Sequence, residues 1–187
     1  MLGFHGCDKS VGEAVLAGEK FKQSANVYDW LGSGIYFWES DPRRGLEWAV
    51  ERSKRPGSRI KEPFVVGAVI DLGFCLDFTT SDAAAKIRTT YDSFTATYEA
   101  TGKPLPKNKA KGARPELDCA VINWLHHIHE QVPGAEPFQS VKGVFVEGDS
   151  IYKTANFMEK THIQIAVRDH KCIKGVFRVS DDFLAAR

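Results

Sequence analysis

Tyr28-Asp29-Trp30-Leu31-Gly32-Ser33-Gly34-Ile35-Tyr36-Phe37-Trp38-Glu39 crowds five aromatic side chains around two glycines. Ile35 to Trp38 has strong strand character and is entered through Gly32-Ser33-Gly34. Alternation sends Tyr36 and Trp38 to one side of that strand and Ile35 and Phe37 to the other. A strand with large apolar rings on both sides needs cover on both. One side packs a core, and the other is more core or the wall of a pocket for a flat ring.

Working outward, Asp41-Pro42 supplies a cap and a first-turn proline, which predicts a helix over Arg43 to Lys54 with an inward stripe of Leu46, Trp48, Ala49 and Val50. Upstream, residues 19 to 32 read as a structured loop. Ser10 with Glu13 three residues on forms a capping box, so Val11 to Ala17 reads as a short helix ended by Gly18. Leu2-Gly3-Phe4 is a short strand running into His5-Gly6. Downstream come a buried strand at Phe64 to Leu72, a short bridge at Cys75 to Phe78, and a helix capped at Ser81-Asp82 that runs to about Ala100. A loop over 101 to 115, a helix over Glu116 to Gln131, and strands at Gly143 to Val146, His162 to Val167 and Cys172 to Val179 complete the pattern. Strict alternation of strands with long helices is absent, which argues against a doubly wound parallel sheet. No G-x-G-x-x-G or G-x-x-x-x-G-K-[ST] occurs either. The expectation is an α+β domain spanning 1–187, with a mostly antiparallel sheet.

The chain has 187 residues, and 25 basic side chains face 24 acidic ones for a net charge of +1. That balance excludes a polycation and an acidic disordered tail. No apolar run approaches the ~20 residues of a membrane span. Met1 to His5 has no basic region followed by a long apolar one, so the expected location is cytoplasmic. Cys7, Cys75, Cys119 and Cys172 form no C-x-x-C pair and read as buried free thiols. His126 and His129 share a helix face, but no third ligand is evident, so no metal site is expected.

Two further segments carry chemistry. In Gly3-Phe4-His5-Gly6-Cys7, a histidine and a glycine leave a strand end together, and the bare Gly6 backbone can pair with a planar amide. In Thr161-His162-Ile163-Gln164-Ile165-Ala166-Val167-Arg168-Asp169, His162, Gln164 and Ala166 alternate with three apolar residues. Taken singly, a capped strand end, a packed aromatic strand and a half-exposed strand face explain all three segments.

Together they resemble a family. Gly3-Phe4-His5-Gly6 is similar to the first motif of ADP-ribosyltransferases of the diphtheria-toxin and poly(ADP-ribose) polymerase kind. Leu31-Gly32-Ser33-Gly34-Ile35-Tyr36-Phe37 resembles that family's glycine-rich tyrosine motif. The order, histidine, then tyrosine, then a polar residue on a late strand, also fits, and the later stretches resemble a bacterial branch rich in toxins. The resemblance implies a split antiparallel sheet with flanking helices that grips NAD as co-substrate, without a metal. It implies His5, Tyr36 and Gln164 as catalytic residues, and His5, Gly6, Ser33, Gly34, Tyr36, Trp48 and Gln164 as NAD contacts. His5 would bond the nicotinamide ribose, Gly6 the carboxamide, and Tyr36 and Trp48 would flank the ring. Gln164 stands where polymer-forming members have glutamate. It cannot take a proton near neutral pH, so a single transfer is expected, or a base supplied by Asp8, Glu39, Glu159 or Asp169.

The 101–115 loop holds Lys103, Lys107, Lys109, Lys111 and Arg114 without an intervening acid. Such a loop can neutralise several phosphates, so RNA is the expected acceptor ahead of protein. Tyr91, Phe94 and Tyr98 could stack bases there, with core packing expected for at least two of them. A toxin of this kind implies a neutralising antitoxin protein. The alternatives are a non-catalytic NAD or ADP-ribose-binding module and an NAD-dependent RNA 2′-phosphotransferase. The latter places histidine where Tyr36 stands.

Overall fold

The computed structural model describes residues 1–109 and 114–185. The fold is α+β, with seven strands and five helices among the described residues. They run β1 (Leu2–Asp8), α1 (Lys9–Leu16), β2 (Ile35–Glu39), α2 (Pro42–Ser53), β3 (Pro63–Ile70), β4 (Cys75–Asp77), α3 (Ser81–Thr101), α4 (Glu116–Glu130), β5 (Ser140–Phe145), β6 (His162–Val167), β7 (Ile173–Arg178) and α5 (Asp181–Ala185).

Several boundaries differ from the sequence reading, each for a local reason. α1 is capped by Asp8, not Ser10. The Asp8 carboxylate accepts from the Ser10 amide at 3.0 Å and hydroxyl at 2.6 Å. It also accepts from the Lys61 and Glu62 amides at 2.7 and 3.0 Å, so the same group ties the end of β1 to the entry of β3. α2 starts as expected: Asp41 accepts from the Arg44 amide at 2.9 Å, ahead of an N-terminal proline. α3 is capped by Thr80 rather than Ser81. The bridge expected near Cys75 is a strand, and the short helix α5 was not anticipated.

One sheet has the order β4-β5-β6-β2-β1-β3-β7. It is mixed, because β4 runs parallel to β5 while the other neighbours are antiparallel. β1 and β2 pair only at Gly3 with Glu39 and Phe4 with Trp38. Beyond that seam β1 continues along β3 to Asp8, and β2 continues along β6 back to Ile35. The two strands therefore diverge, and the sheet is split between them.

On one face Cys7, Ile35, Phe37, Val66, Ile165 and Val167 form a core closed by Val15 of α1 and by Phe21. On the other, the α3–α4 pair covers Leu31, Val141 and Ala166, and α2 packs across β1, β2 and β3. Leu31, Ile35, Phe37 and Ile165 are fully enclosed, and each such side chain contributes about 1.5–3 kcal/mol relative to exposure. All four cysteines are free, and three are buried. Burial pushes the Cys7 thiol up to about 12, which makes it inert. No helix among the described residues is long and apolar enough to cross a membrane.

Candidate functional site at the sheet split

Strand alternation decides what lines the split. The Met1 carbonyl accepts from the Ile70 amide, and the Lys9 amide donates to the Glu62 carbonyl, so odd-numbered residues of β1 direct their backbone toward β3. The Leu2 carbonyl accepts from the Ser40 amide, so even-numbered residues face β2. Gly6 is even-numbered and lies past the point where β2 departs. Its N–H and C=O therefore face into the split.

From the other side the Tyr36 carbonyl enters the same split and accepts from His5 Nδ1 at 2.8 Å. A carbonyl can only accept, so Nδ1 carries the proton. Burial lowers the His5 pKa, partly offset by the Tyr36 bond. The ring is then neutral near pH 7, and Nε2 remains as an acceptor. The imidazole packs against Phe21 and Phe37, with centroids 5.0 and 5.6 Å away.

Gly6 is also where α2 meets the sheet. A Cβ there would stand 2.1 Å from the Gly45 carbonyl oxygen and 3.3 Å from Trp48 Cε3. Any side chain would lever α2 away. Trp48 thus lies over Gly6 on the face that carries Tyr36, and it packs on Trp38 at 5.5 Å. The Tyr36 hydroxyl donates to the Gly32 carbonyl at 2.8 Å and accepts from the Leu31 amide at 2.9 Å. That bonding fixes the ring. Burial first, then nearby Asp29, raises the phenol pKa well above its usual value, so the group stays protonated.

Gln164 sits opposite Trp38 on β6, on the same face as Tyr36. Its Oε1 accepts from Trp30 Nε1 at 2.6 Å. An indole N–H only donates, which fixes the amide orientation and leaves the Gln164 NH2 as the outward group. Trp30 reaches this position because Gly143 lies beneath it, where a Cβ would come within 2.7 Å of its ring. Trp30 and Phe21 carried no role in the sequence reading. Only the crowding of aromatics around residue 30 hinted at the first, and nothing local marked the second.

The remaining expected residues divide. His5 and Gly6 of β1 and the Tyr36 carbonyl of β2 border the split and Trp48 lies over Gly6, Gln164 stands one strand away on β6 beside Trp38, and Ser33 and Gly34 are engaged elsewhere. Both backbone groups of Gly34 bond Ser24. The Ser33 amide donates to Asn123 Oδ1 at 3.0 Å, and Ser33 lines a separate cavity of about 400 Å³ with Gln23, Glu130 and Arg168. The carboxylates considered as bases are engaged or distant in role: Asp8 caps α1, Glu39 pairs with Lys142 at 2.9 Å, Asp169 accepts from the Lys171 amide, and Glu159 is exposed. His126 is buried and its pKa is pushed down to about 3 by desolvation. No group of three or more metal-ligating side chains occurs among the described residues.

The basic loop is anchored at the start of α4. Asn108 Oδ1 accepts from the Leu117 and Asp118 amides and so caps α4, for which Pro115 offers no side-chain cap. Lys103, Lys107 and Lys109 are exposed. Lys111 lies outside the described residues. Arg114 departs from the expectation of a free charge: it pairs with Glu116 at 3.0 Å and lies over the Tyr28 ring. Of the aromatics before the loop, Phe94 is buried against Tyr98 and Trp124, and Tyr91 stays exposed.

No protein-family model matches the chain, and no curated protein or solved structure matches it significantly.

Proposed function

We propose that the protein is a mono-ADP-ribosyltransferase that cleaves NAD and passes ADP-ribose to RNA in preference to protein. One observation carries this reading: the Gly6 backbone donor and acceptor face a split that β2 borders at the Tyr36 backbone, with the Trp48 ring over Gly6. A planar carboxamide needs one donor and one acceptor side by side, and the attached ring needs aromatic walls. His5 Nε2 can accept from one ribose hydroxyl, and the Gln164 NH2 can donate to another. Those contacts orient the sugar, and the C1′–nitrogen bond breaks with its electron pair leaving on neutral nicotinamide. The cation that forms at C1′ is met by positioned dipoles rather than by water.

Gln164 cannot remove a proton, which favours one transfer over chain growth. Exposed Lys103, Lys107 and Lys109 favour a phosphate-bearing acceptor. A modification that inactivates cellular RNA would be toxic to the cell that makes the enzyme, and the resemblance to a toxin-rich branch then implies a neutralising antitoxin protein. The test is incubation with labelled NAD and total cell extract, with nuclease and protease applied separately to the product. Label on the nuclease-sensitive fraction is expected. Label lost only to protease transfers the reading to a protein acceptor. NAD bound without any covalent change, in every fraction, replaces it with a binding module.

A further inference from the structure

Next to Gln164 lies a second set of polar atoms. Trp38 Nε1, Arg44 Nε and Nη1, and His162 Nε2 are buried without a hydrogen-bond partner. Their residues are 3%, 5% and 7% exposed. An unpartnered buried polar atom is costly, so a cluster from three residues calls for a common occupant. The Trp38 and His162 rings lie 6.2 Å apart, and Gly45, beside Arg44, packs against Trp38. Arg44 Nη2 is held by Glu147 at 2.8 Å, which aims the rest of the guanidinium inward. His162 Nδ1 donates to the Lys160 carbonyl at 2.6 Å, so Nε2 is the lone-pair nitrogen. The inventory is donors from Trp38 and Arg44 and a single acceptor on His162. An O–H group has two lone pairs and one hydrogen, so it can accept from two of these donors while donating to His162.

We propose that Trp38, Arg44 and His162 seat the nucleophilic O–H group of the transfer, and that His162 Nε2 receives its proton. This rests on the ADP-ribosyltransferase reading and supplies the base that Gln164 cannot be. His162 and Gln164 are two residues apart on one face of β6, so about 6.6 Å separates them along the strand. The oxygen forms a bond to C1′ as the C1′–nitrogen bond breaks. The electron pair leaves with nicotinamide, and the proton passes to His162 and then to solvent. Water and an acceptor hydroxyl share this chemistry, giving free ADP-ribose or the modified acceptor. A macromolecular hydroxyl enters when the 146–161 segment lifts. Glu147–Arg44 and Lys160–Glu51, both at 2.8 Å, fasten that segment to α2.

Burial lowers the His162 pKa, and Arg44 adds to this while Lys160 carbonyl, Glu147 and Asp41 oppose it. Glu47 and Glu51 also face Arg44 from α2. The imidazole is thus neutral and ready to accept a proton near pH 7.

The test is His162→Asn, whose amide keeps the donor to the Lys160 carbonyl and removes Nε2. NAD affinity, read by calorimetry, should stay within about twofold, while hydrolysis and transfer both fall by about 10²–10⁴. The acid limb of the wild-type rate profile should vanish, and added imidazole should restore turnover in His162→Gly. Loss of transfer alone assigns the seat to the acceptor hydroxyl, and loss of both to either source. A His162→Asn rate within threefold of wild type across the pH range overturns the proposal and leaves the transferase reading standing. A wild type that consumes no NAD overturns that reading first.

Discussion

The two faces of the sheet around the split differ in one respect: what becomes of their polar atoms. On the face closed by α1, Phe37, Ile35, Ile165 and Val167 are enclosed by other apolar groups. The polar ring that reaches this side, His5, has its Nδ1 proton satisfied by a backbone carbonyl. On the opposite face Trp38, Arg44 and His162 hold unpartnered atoms among the aromatic rings. The first face is solved as a packing problem. The second retains hydrogen-bonding capacity that packing does not use, and such capacity is kept where a ligand or a reaction uses it.

Substitutions on the two faces should therefore fail in different ways. The largest effect is expected for Phe37→Ala, which empties a fully enclosed site and should cost about 3–5 kcal/mol of stability. Chemical denaturation reads that loss. Gln164→Ala should do the reverse. Turnover of NAD should fall by about 10²–10³ as one positioned donor is lost, while stability falls only by the about 1 kcal/mol that follows from stripping Trp30 Nε1 of its acceptor. Equal stability losses in both variants would erase the distinction between the faces.

Tyr36→Phe sits between these cases. It keeps the ring but strips partners from the Leu31 amide and Gly32 carbonyl, so a loss of about 1–3 kcal/mol is expected. NAD affinity should weaken only as far as the 31–32 turn relaxes. Retained affinity alongside lowered stability would show that the ring alone serves the ligand.

The smallest effect concerns pH. The His126 pKa is lowered from 6.5 to about 3 by burial. Its folded value lies below its unfolded one, so its contribution is complete above pH 6.5 and is lost as pH falls toward 3. The loss should be on the order of 1 kcal/mol by about pH 5.5. His126→Leu should flatten that part of the stability curve, as read by urea unfolding at several pH values.

Local pattern made much of the fold legible. Alternation over Ile35 to Trp38 assigned the two faces correctly, and Asp41-Pro42 marked the start of α2. Gly6, Tyr36 and Gln164 could be singled out because short motifs hold them. What escaped depends on distant partners. Trp30 bonds Gln164 across 134 residues. The β4–β5 pairing joins segments separated by two helices. Arg44 reads as an ordinary helical cation until Glu147 and the sheet enclose it. Asp8 displaced Ser10 as a cap because the Lys61–Glu62 segment leading into β3 gives it two further donors, which no local window contains.

The seam between β1 and β2 has a mechanical consequence. Two residue pairs join the half-sheet β4-β5-β6-β2 to the half-sheet β1-β3-β7. α2 touches strands of both halves and acts as a strap across the joint. Stiffness is therefore unevenly distributed: each half resists bending, while the line through Phe4 and Trp38 is a hinge whose travel is limited by one helix. A force or partner that tilts α2 would widen or narrow the gap beside Gly6 without touching any residue inside it.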